Sequence, residues 1–434
     1  MEPLHFEELY PETTRNEEIN KIVEILRTGR SCQVIGIPGS GKSNVLRLLA
    51  YNKKIRLKHL GDDQEIFHFI YMDFSEMRGR SLFDIIKFIF ISLSYSLGER
   101  GFTKEQEAVN AALRESLEFS DELILFQGLK KSVDFLAIEH KLYLVFLFDR
   151  FEDYVPNIDE RFFPDLKILR NRVKYNFLAV FAVTRPIEDT IEAPLFGDFY
   201  EFIVGNTIFL PIKDPVGLDF RFSYIEQITK SKGSPEARAE IEKLTGGHGK
   251  LAKLSYETYL AEEKIKNLEE FLLSKKQIRA ALFEIWEYLT AEEKADIAGG
   301  APNDFLEKVG LTNSNKLSVP LLASYVKTRP STVASQKITY DSERNEINKG
   351  DENISDKLTP SEFRLLRYLI INVDRVAEKD EIIQNVWQDT KTQQGVTDQA
   401  LDQIIYRLRK KIEEDPNKPV HIQTVKGRGY KFSS

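Results

Sequence analysis

The sequence predicts an α/β fold, a parallel sheet with a helical lid, followed by two smaller α+β domains of winged-helix build. Three observations carry that expectation. A β-rich run from Cys32 to Gly36 leads into a glycine loop and then a helical stretch from about Lys42 to Leu49. Short apolar runs recur at Ile66 to Phe74, Leu142 to Asp149 and Phe177 to Thr184 with helical stretches between them, an alternation that implies a doubly wound parallel sheet. From Lys357 onward, three helical segments precede two strands around Gly427-Arg428-Gly429, which is the order of a winged helix.

Taken in order, the first helix carries apolar residues from Ile19 to Leu26 at helical spacing and stops near Gly29. The sheet region follows. After about Ile212 the strand signals end and amphipathic helical segments take over, which predicts a helical subdomain. Residues 278 to 327 read as short helices with a hairpin at Asn313 to Asn315, the pattern of a reduced winged helix. Thr328 to Lys337 lacks periodicity and reads as a linker. The expected domains are therefore 1–211 (sheet core), 212–277 (lid), 278–327 (first winged helix), 328–337 (linker) and 338–434 (second winged helix).

Composition limits the function classes. The chain has 434 residues, 42% hydrophobic and 30% charged, enough apolar matter to fold as several domains. Its net charge of −7 means that any nucleic-acid contact must come from a local basic patch. Cys32 is the only cysteine, which excludes an intramolecular disulfide framework and argues against cysteine-ligated zinc. The acidic N-terminal segment does not have the form of a secretory signal, and no apolar run approaches the roughly 18 to 20 residues of a membrane helix. The expectation is a cytoplasmic protein with no membrane partner.

The chemistry centres on Gly36-Ile37-Pro38-Gly39-Ser40-Gly41-Lys42-Ser43, which fits G-x-x-x-x-G-K-[ST]. Glycines let successive backbone N–H groups converge on phosphate oxygens, and the helix that follows adds positive partial charge. Gly36, Gly39 and Gly41 shape this P-loop; Lys42 is expected to reach the β and γ phosphates and Ser43 to hold Mg2+. The apolar strand ending in Asp149 is a Walker B strand, making Asp149 the second Mg2+ ligand. Arg150 follows it, where many such ATPases place a water-polarising glutamate, so hydrolysis is expected to be slow. Glu152 is the better candidate for the base and Asp153 the alternative, while both also read as a solvated acidic turn. Thr184 and Arg185 end a further strand and are candidates for contact with the γ phosphate or the attacking water.

These segments resemble the STAND branch of the AAA+ ATPases, relatives of the origin-recognition and NACHT ATPases. The family's acid run is similar to Asp149, Glu152 and Asp153, and its sensor segment to Thr184-Arg185-Pro186, with a departure at Val183 and Thr184. The turn Gly246-Gly247-His248-Gly249 is similar to the family's G-G-x-P turn near the base and ribose, although Gly249 replaces the proline. The resemblance covers roughly residues 10 to 327 and implies ATP as the nucleotide and His248 as a contact to it. An exposed loop histidine is the other reading of His248.

From Lys357, Thr359 with Glu362 forms a capping-box pattern, and Phe363, Leu366, Leu369 and Ile370 mark an apolar helix face. The third helix, from about Thr397 to Ile412, has core positions Leu401, Ile405, Leu408 and Ile412. The runs "LTPSEFRLLRYL", "LRKKIEEDP" and "TVKGRGYKF" closely resemble the OmpR/PhoB-type winged-helix DNA-binding domain. That resemblance implies double-stranded DNA as partner, with Asp402, Gln403 and Arg407 toward bases, Thr397, Gln399, Tyr406 and Arg409 toward phosphates or groove walls, and Lys426 and Arg428 in the wing. From Arg407 to Lys431 eight basic residues stand against three acids, a local net of +5. The expected whole is an ATP-dependent DNA-binding transcriptional regulator whose nucleotide state switches the C-terminal domain, with nucleotide-dependent homo-oligomers and a slow ATPase as reset. Two alternatives stay open: a DNA-remodelling or replication-type ATPase that assembles on DNA, and a STAND signalling or defence protein whose winged helix grips a protein partner.

Overall fold

The computed structural model describes residues 5–191, 193–262, 265–328, 338–342, 344–350, 352–387, 398–413, 419–425 and 427–433. The chain divides into two units, Met1–Val326 and Lys327–Ser434.

In the first unit, α1 (Asn16–Arg27) leads into β1 (Cys32–Ile35), and α2 (Lys42–Tyr51) and α3 (Lys53–Leu60) follow the glycine loop. With β2 (Phe67–Asp73), β3 (Tyr143–Asp149), β4 (Phe177–Val183) and β5 (Thr207–Phe209), β1 builds a wholly parallel sheet in the order β2-β3-β4-β1-β5. β4 thus lies between the loop-bearing β1 and the strand that ends in Asp149. Each strand feeds both faces with period two. Leu144, Phe146, Phe148, Phe177, Ala179 and Phe181 enter one core, whereas Val145, Leu147, Leu178, Val180 and Ala182 enter the other. Burial on both faces is why these strands read as continuous apolar runs. The first face is covered by α4 (Leu82–Glu99), α5 (Thr103–Leu117), α6 (Glu122–Asp134) and α7 (Phe162–Val173), and the second by α1 to α3. β5 has only three residues, too few to show alternation in the sequence.

Two single-turn helices, α8 (Ile187–Thr190) and α9 (Ala193–Phe196), follow β4. Beyond β5 come α10 (Pro215–Thr229), α11 (Pro235–Thr245), α12 (Gly249–Leu260) and α13 (Leu268–Ser274), then α14 (Lys276–Tyr288), α15 (Ala291–Gly299) and α16 (Asp304–Lys308). A two-stranded hairpin, β6 (Thr312–Asn313) and β7 (Lys316–Leu317), precedes α17 (Pro320–Thr328). Ser314 and Asn315 turn the hairpin with φ of 48° and 62°, the left-handed pair that a type I′ turn demands. Leu218, Phe222, Ile241 and Tyr256 share one core with Leu282, Ile285, Leu311 and Leu322, so the helices on either side of residue 278 are packed as one body.

In the second unit, β8 (Ile338–Asp341), β9 (Glu346–Lys349) and β10 (Glu352–Asn353) form an antiparallel sheet. Next come α18 (Pro360–Ile371), β11 (Val376–Glu378), α19 (Lys379–Val386) and α20 (Asp398–Ile412), and β12 (Ile422–Val425) with β13 (Gly429–Phe432) closes the wing. Thr359 and Glu362 exchange capping-box bonds at the start of α18, and Lys411 Nζ reaches Glu362 Oε2 at 2.6 Å, tying α20 to α18. Leu401, Ile405, Leu408 and Ile412 are buried against Leu365, Leu366, Leu369 and Phe432. Gly429 has φ 144°, and a Cβ there would stand 2.0 Å from the Ala377 carbonyl oxygen, so only glycine lets β11 pair with β13. Among the described residues no helix is long and apolar enough to cross a membrane.

Candidate nucleotide cleft and nucleic-acid surface

The glycine loop leaves β1 and enters α2 through Gly41, whose φ of 104° turns the backbone into the helix N-terminus. The loop, the end of β3 and the helical subdomain enclose a cleft of about 770 Å3. Pro38, Gly39, Ser40, Gly41, Lys42 and Ser43 line it, as do Asp149, Arg150, Glu152 and Thr184. Gly36 sits behind the lining, where its carbonyl accepts from Lys42 Nζ at 2.7 Å. Burial lowers the Lys42 pKa, opposed by the nearby Glu152 and Asp149 carboxylates. Asp149 is buried, and that burial raises its pKa against hydrogen bonds from Tyr71 and Ser43. Its Oδ2 accepts from the Tyr71 hydroxyl at 2.7 Å and its Oδ1 from the Arg150 N–H at 3.0 Å.

Arg150 is in the left-handed region, φ 52°, a conformation disfavoured for any residue but glycine. That turn presents Glu152 to the cleft. Burial raises the Glu152 pKa, with Lys42 opposing, and its Oε2 is buried without a hydrogen-bond partner. Asp153 also lines the cleft, but its Oδ1 is held by Arg78 at 2.7 Å.

The residues fit a nucleotide with a divalent cation. Gly39 and Gly41 form a cradle at positive φ, and Lys42 supplies the charge at its base. Ser43 and Asp149 offer hard oxygen donors of the kind Mg2+ takes together with phosphate oxygens. Among the described residues no group of three or more His, Cys, Asp or Glu could hold a metal ion by itself.

Two expectations for the cleft are corrected. Arg185 does not line the cleft. Its guanidinium makes a two-point ion pair with Glu293 at 2.5 and 2.6 Å and lies 4.3 Å from the ring centroids of both Tyr288 and Phe305, so its donors are spent on α15. His248 is neither exposed nor among the lining residues. It is 1% exposed, its Nε2 donates to the Pro38 carbonyl at 2.8 Å, and its Nδ1 accepts from Leu251 N–H at 3.3 Å. Burial pushes its pKa down to about 4, so the ring is neutral. The turn touches the loop itself: Lys250 N–H donates to the Gly39 carbonyl at 3.2 Å, and a Cβ on Gly39 would stand 2.7 Å from His248 Cε1.

Several cleft residues escape the sequence pattern, among them Arg15, Lys250 and Tyr10. Arg15 precedes α1 with φ 52° and is 5% exposed. It donates to the carbonyls of Ser40 (2.8 Å), Pro211 (2.8 Å) and Lys213 (3.2 Å), joining the loop to the exit from β5. A cation at a helix N-terminus opposes the helix dipole, and that anomaly was the available signal. Lys250, paired with Glu284, and Tyr10, which accepts from Arg221, also line the cleft, but tertiary folding alone assembles them.

On α20, Asp402, Gln403, Tyr406 and Arg407 are exposed and line one shallow depression. Asp402 is already engaged: Lys379 Nζ lies 2.7 Å from its Oδ1, to which Tyr430 OH also donates at 2.6 Å, so its placement toward bases is corrected to a tie between α20, α19 and the wing. Arg409 is likewise corrected. Its guanidinium donates to Ile422 O at 2.9 and 2.7 Å and to Thr424 Oγ1 at 2.8 Å, fastening β12. Lys410 Nζ stands 4.7 Å from the Tyr406 ring centroid, and Arg428 is exposed at the wing tip. Thr397, Lys426 and the side chain of Gln399 lie outside the described residues.

Sheet order, glycine loop and the Asp149 strand define the first unit as a P-loop NTPase fold, and the second as a winged helix. Residues 354–432 match the family described as "Transcriptional regulatory protein, C terminal"; the chain therefore carries an OmpR/PhoB-type winged-helix DNA-binding domain. Curated relatives include the sensory transduction protein RegX3 of Mycolicibacterium smegmatis, 42% identical over 100 residues, which are 22% of this chain and 40% of that protein. Protein PetR of Rhodobacter capsulatus is 36% identical over 95 residues, 21% of this chain and 39% of that protein. The chain thus spans about two fifths of the length of these relatives. Among solved structures, the RstA DNA-binding domain of Klebsiella pneumoniae in complex with the RstA box is 27% identical, covering 24% of this chain and 98% of that one, TM-score 0.20. A Walker-type ATPase of Pyrococcus abyssi is 15% identical, covering 72% of this chain and 95% of that one, TM-score 0.43.

Proposed function

We propose that this protein is a nucleotide-regulated DNA-binding transcriptional regulator. The observation that carries the reading is the convergence of Lys42, Ser43, Asp149 and Glu152 on one cleft, in a chain whose residues 354–432 match the transcriptional regulatory family. ATP with Mg2+ is the proposed ligand. Bound there, the cation would neutralise phosphate charge, with Ser43 and Asp149 as its protein ligands. The P-loop amides of Gly39 to Lys42 bind and orient the phosphates, Lys42 offsets their charge, and Lys250 offers a second cation from the lid. Glu152, with its unpartnered oxygen, is the group that orients and deprotonates water.

Hydrolysis is slow in this reading, because Arg150 occupies the position after Asp149 and Glu152 acts from three residues on. A steady-state turnover above roughly 10 per second would defeat it. The contacts between lid and loop support a switch: a ligand that displaces the Gly39 loop acts on His248 and Lys250 directly. On the second unit, Gln403, Tyr406 and Arg407 of α20 face the major groove, and Arg428 serves the wing. Homo-oligomers formed with nucleotide, and the cytoplasm as location, belong to the same proposal.

The test is fluorescence anisotropy on genomic DNA fragments with the full chain and its Lys42→Ala variant, in ADP and in a nonhydrolysable ATP analogue. Binding that strengthens with the analogue in the wild type alone supports the switch. Equal binding in every state would uncouple the two units and sink it.

A further inference from the structure

Tyr71 lies on β2, beside the strand that ends in Asp149. β2 and β3 pair in parallel with Tyr71 opposite Leu147 and Asp73 opposite Asp149. In that register the phenol leans along the strand direction far enough for its hydroxyl to donate to Asp149 Oδ2 at 2.7 Å. The ring is itself held: the Tyr51 ring centroid is 6.0 Å away, and the Arg47 guanidinium stands 5.7 Å from the Tyr71 ring centroid. Tyr51 and Arg47 are both on α2, the helix that carries Lys42 and Ser43 at its start. Tyr71 therefore connects the P-loop helix to the carboxylate at the end of β3.

A carboxylate attached by a single rotatable bond can turn its oxygens through many orientations, and fixing one before a cation arrives removes that entropy cost from binding. Here Tyr71 fixes Oδ2 and the Arg150 N–H fixes Oδ1, while each oxygen keeps further lone-pair capacity. We propose that Tyr71 is a positioning residue for the metal-binding carboxylate of this cleft, setting Asp149 for the divalent cation that accompanies the nucleotide. The inference rests on the nucleotide reading of the cleft. Outer-shell partners of this kind typically contribute about 10- to 100-fold to metal affinity.

The experiment uses the full chain and a fluorescent ADP analogue, titrated first in EDTA and then with Mg2+. Tyr71→Phe removes one oxygen and leaves the ring against Tyr51 and Arg47. The expected result is unchanged nucleotide affinity in EDTA and an increase of about tenfold in the Mg2+ concentration that half-saturates the metal-dependent part of binding. Tyr51→Phe, in the same aromatic cluster, should leave the Mg2+ dependence at the wild-type value. On an Asp149→Asn background, Tyr71→Phe should change nothing further. A wild-type Mg2+ dependence in Tyr71→Phe overturns the positioning role while leaving the nucleotide reading intact. No nucleotide binding by the wild type overturns the nucleotide reading instead. Should Tyr71→Phe not fold, Tyr71→His keeps a donor with a shorter reach and is expected to raise the Mg2+ requirement; a wild-type value there is equally fatal.

Discussion

Arg185 and Glu293 face each other with two nitrogens on two oxygens, at 2.5 and 2.6 Å, between the rings of Tyr288 and Phe305. Arg185 is joined to Thr184, which lines the cleft, and the Thr184 carbonyl accepts from Tyr288 OH at 2.5 Å. The Glu293 carboxylate also accepts the Thr290 N–H that caps α15. One pair of side chains thus links the end of β4 to the helices 110 residues downstream in sequence, roughly. Arg185→Met should lower stability by about 3 kcal/mol, because it leaves a buried carboxylate without its cation. It should also weaken the nucleotide response of DNA binding. The midpoint of thermal unfolding checks the first part, and an unchanged midpoint would mean that the pair contributes nothing net.

Lys42→Ala should abolish stabilisation by nucleotide. At a ligand concentration of about 100 times Kd, the wild type should gain about 2.7 kcal/mol, and the variant should gain none. Differential scanning fluorimetry with and without ATP and Mg2+ reads both, and equal gains would remove Lys42 from the binding site.

Stability should fall in mild acid through His248. Its folded pKa of about 4 is below the ordinary value of 6.5, so the folded ring stays neutral while the unfolded chain takes up a proton. The stabilisation is complete above pH 6.5 and is lost as pH falls from there toward 4, at most on the order of 3 kcal/mol. His68, buried and pushed down to about 3, acts in the same direction. His248→Gln should flatten the fall in unfolding midpoint between pH 7 and 5; an equally steep fall would assign the effect to other groups.

Arg407 and Arg409, two residues apart on α20, should separate recognition from architecture. Arg407→Ala is expected to weaken DNA binding with an unchanged melting midpoint, and a phosphate contact would show as a salt slope shallower by about 1. Arg409→Ala removes the bonds that hold Ile422 and Thr424, and it should cost about 1 to 2 kcal/mol in a melt without DNA. Equal midpoints for the two variants would contradict this division.

The strands and the glycine loop were legible because each depends on neighbours in sequence. Burial on both faces makes an apolar run such as Tyr143 to Phe148, and a phosphate loop requires glycines at fixed offsets between strand and helix. Capping at Thr359 and the face of Leu401, Ile405, Leu408 and Ile412 were legible for the same reason. β5 was not, since three residues carry no period.

By itself the sequence determined four of the five strands of the parallel sheet, the loop and the C-terminal winged helix, because local spacing and short apolar runs specify them. Only the tertiary structure decided which partners the polar side chains meet. It set Arg185 on Glu293, His248 on Pro38, Asp402 on Lys379 and Arg409 on the wing, brought Arg15 to the cleft, and placed the Tyr71 hydroxyl on Asp149. The physical reason is reach: a guanidinium or phenol several ångströms from its backbone bonds to whatever the packed chain brings beside it, and that partner stands up to about two hundred residues away in sequence.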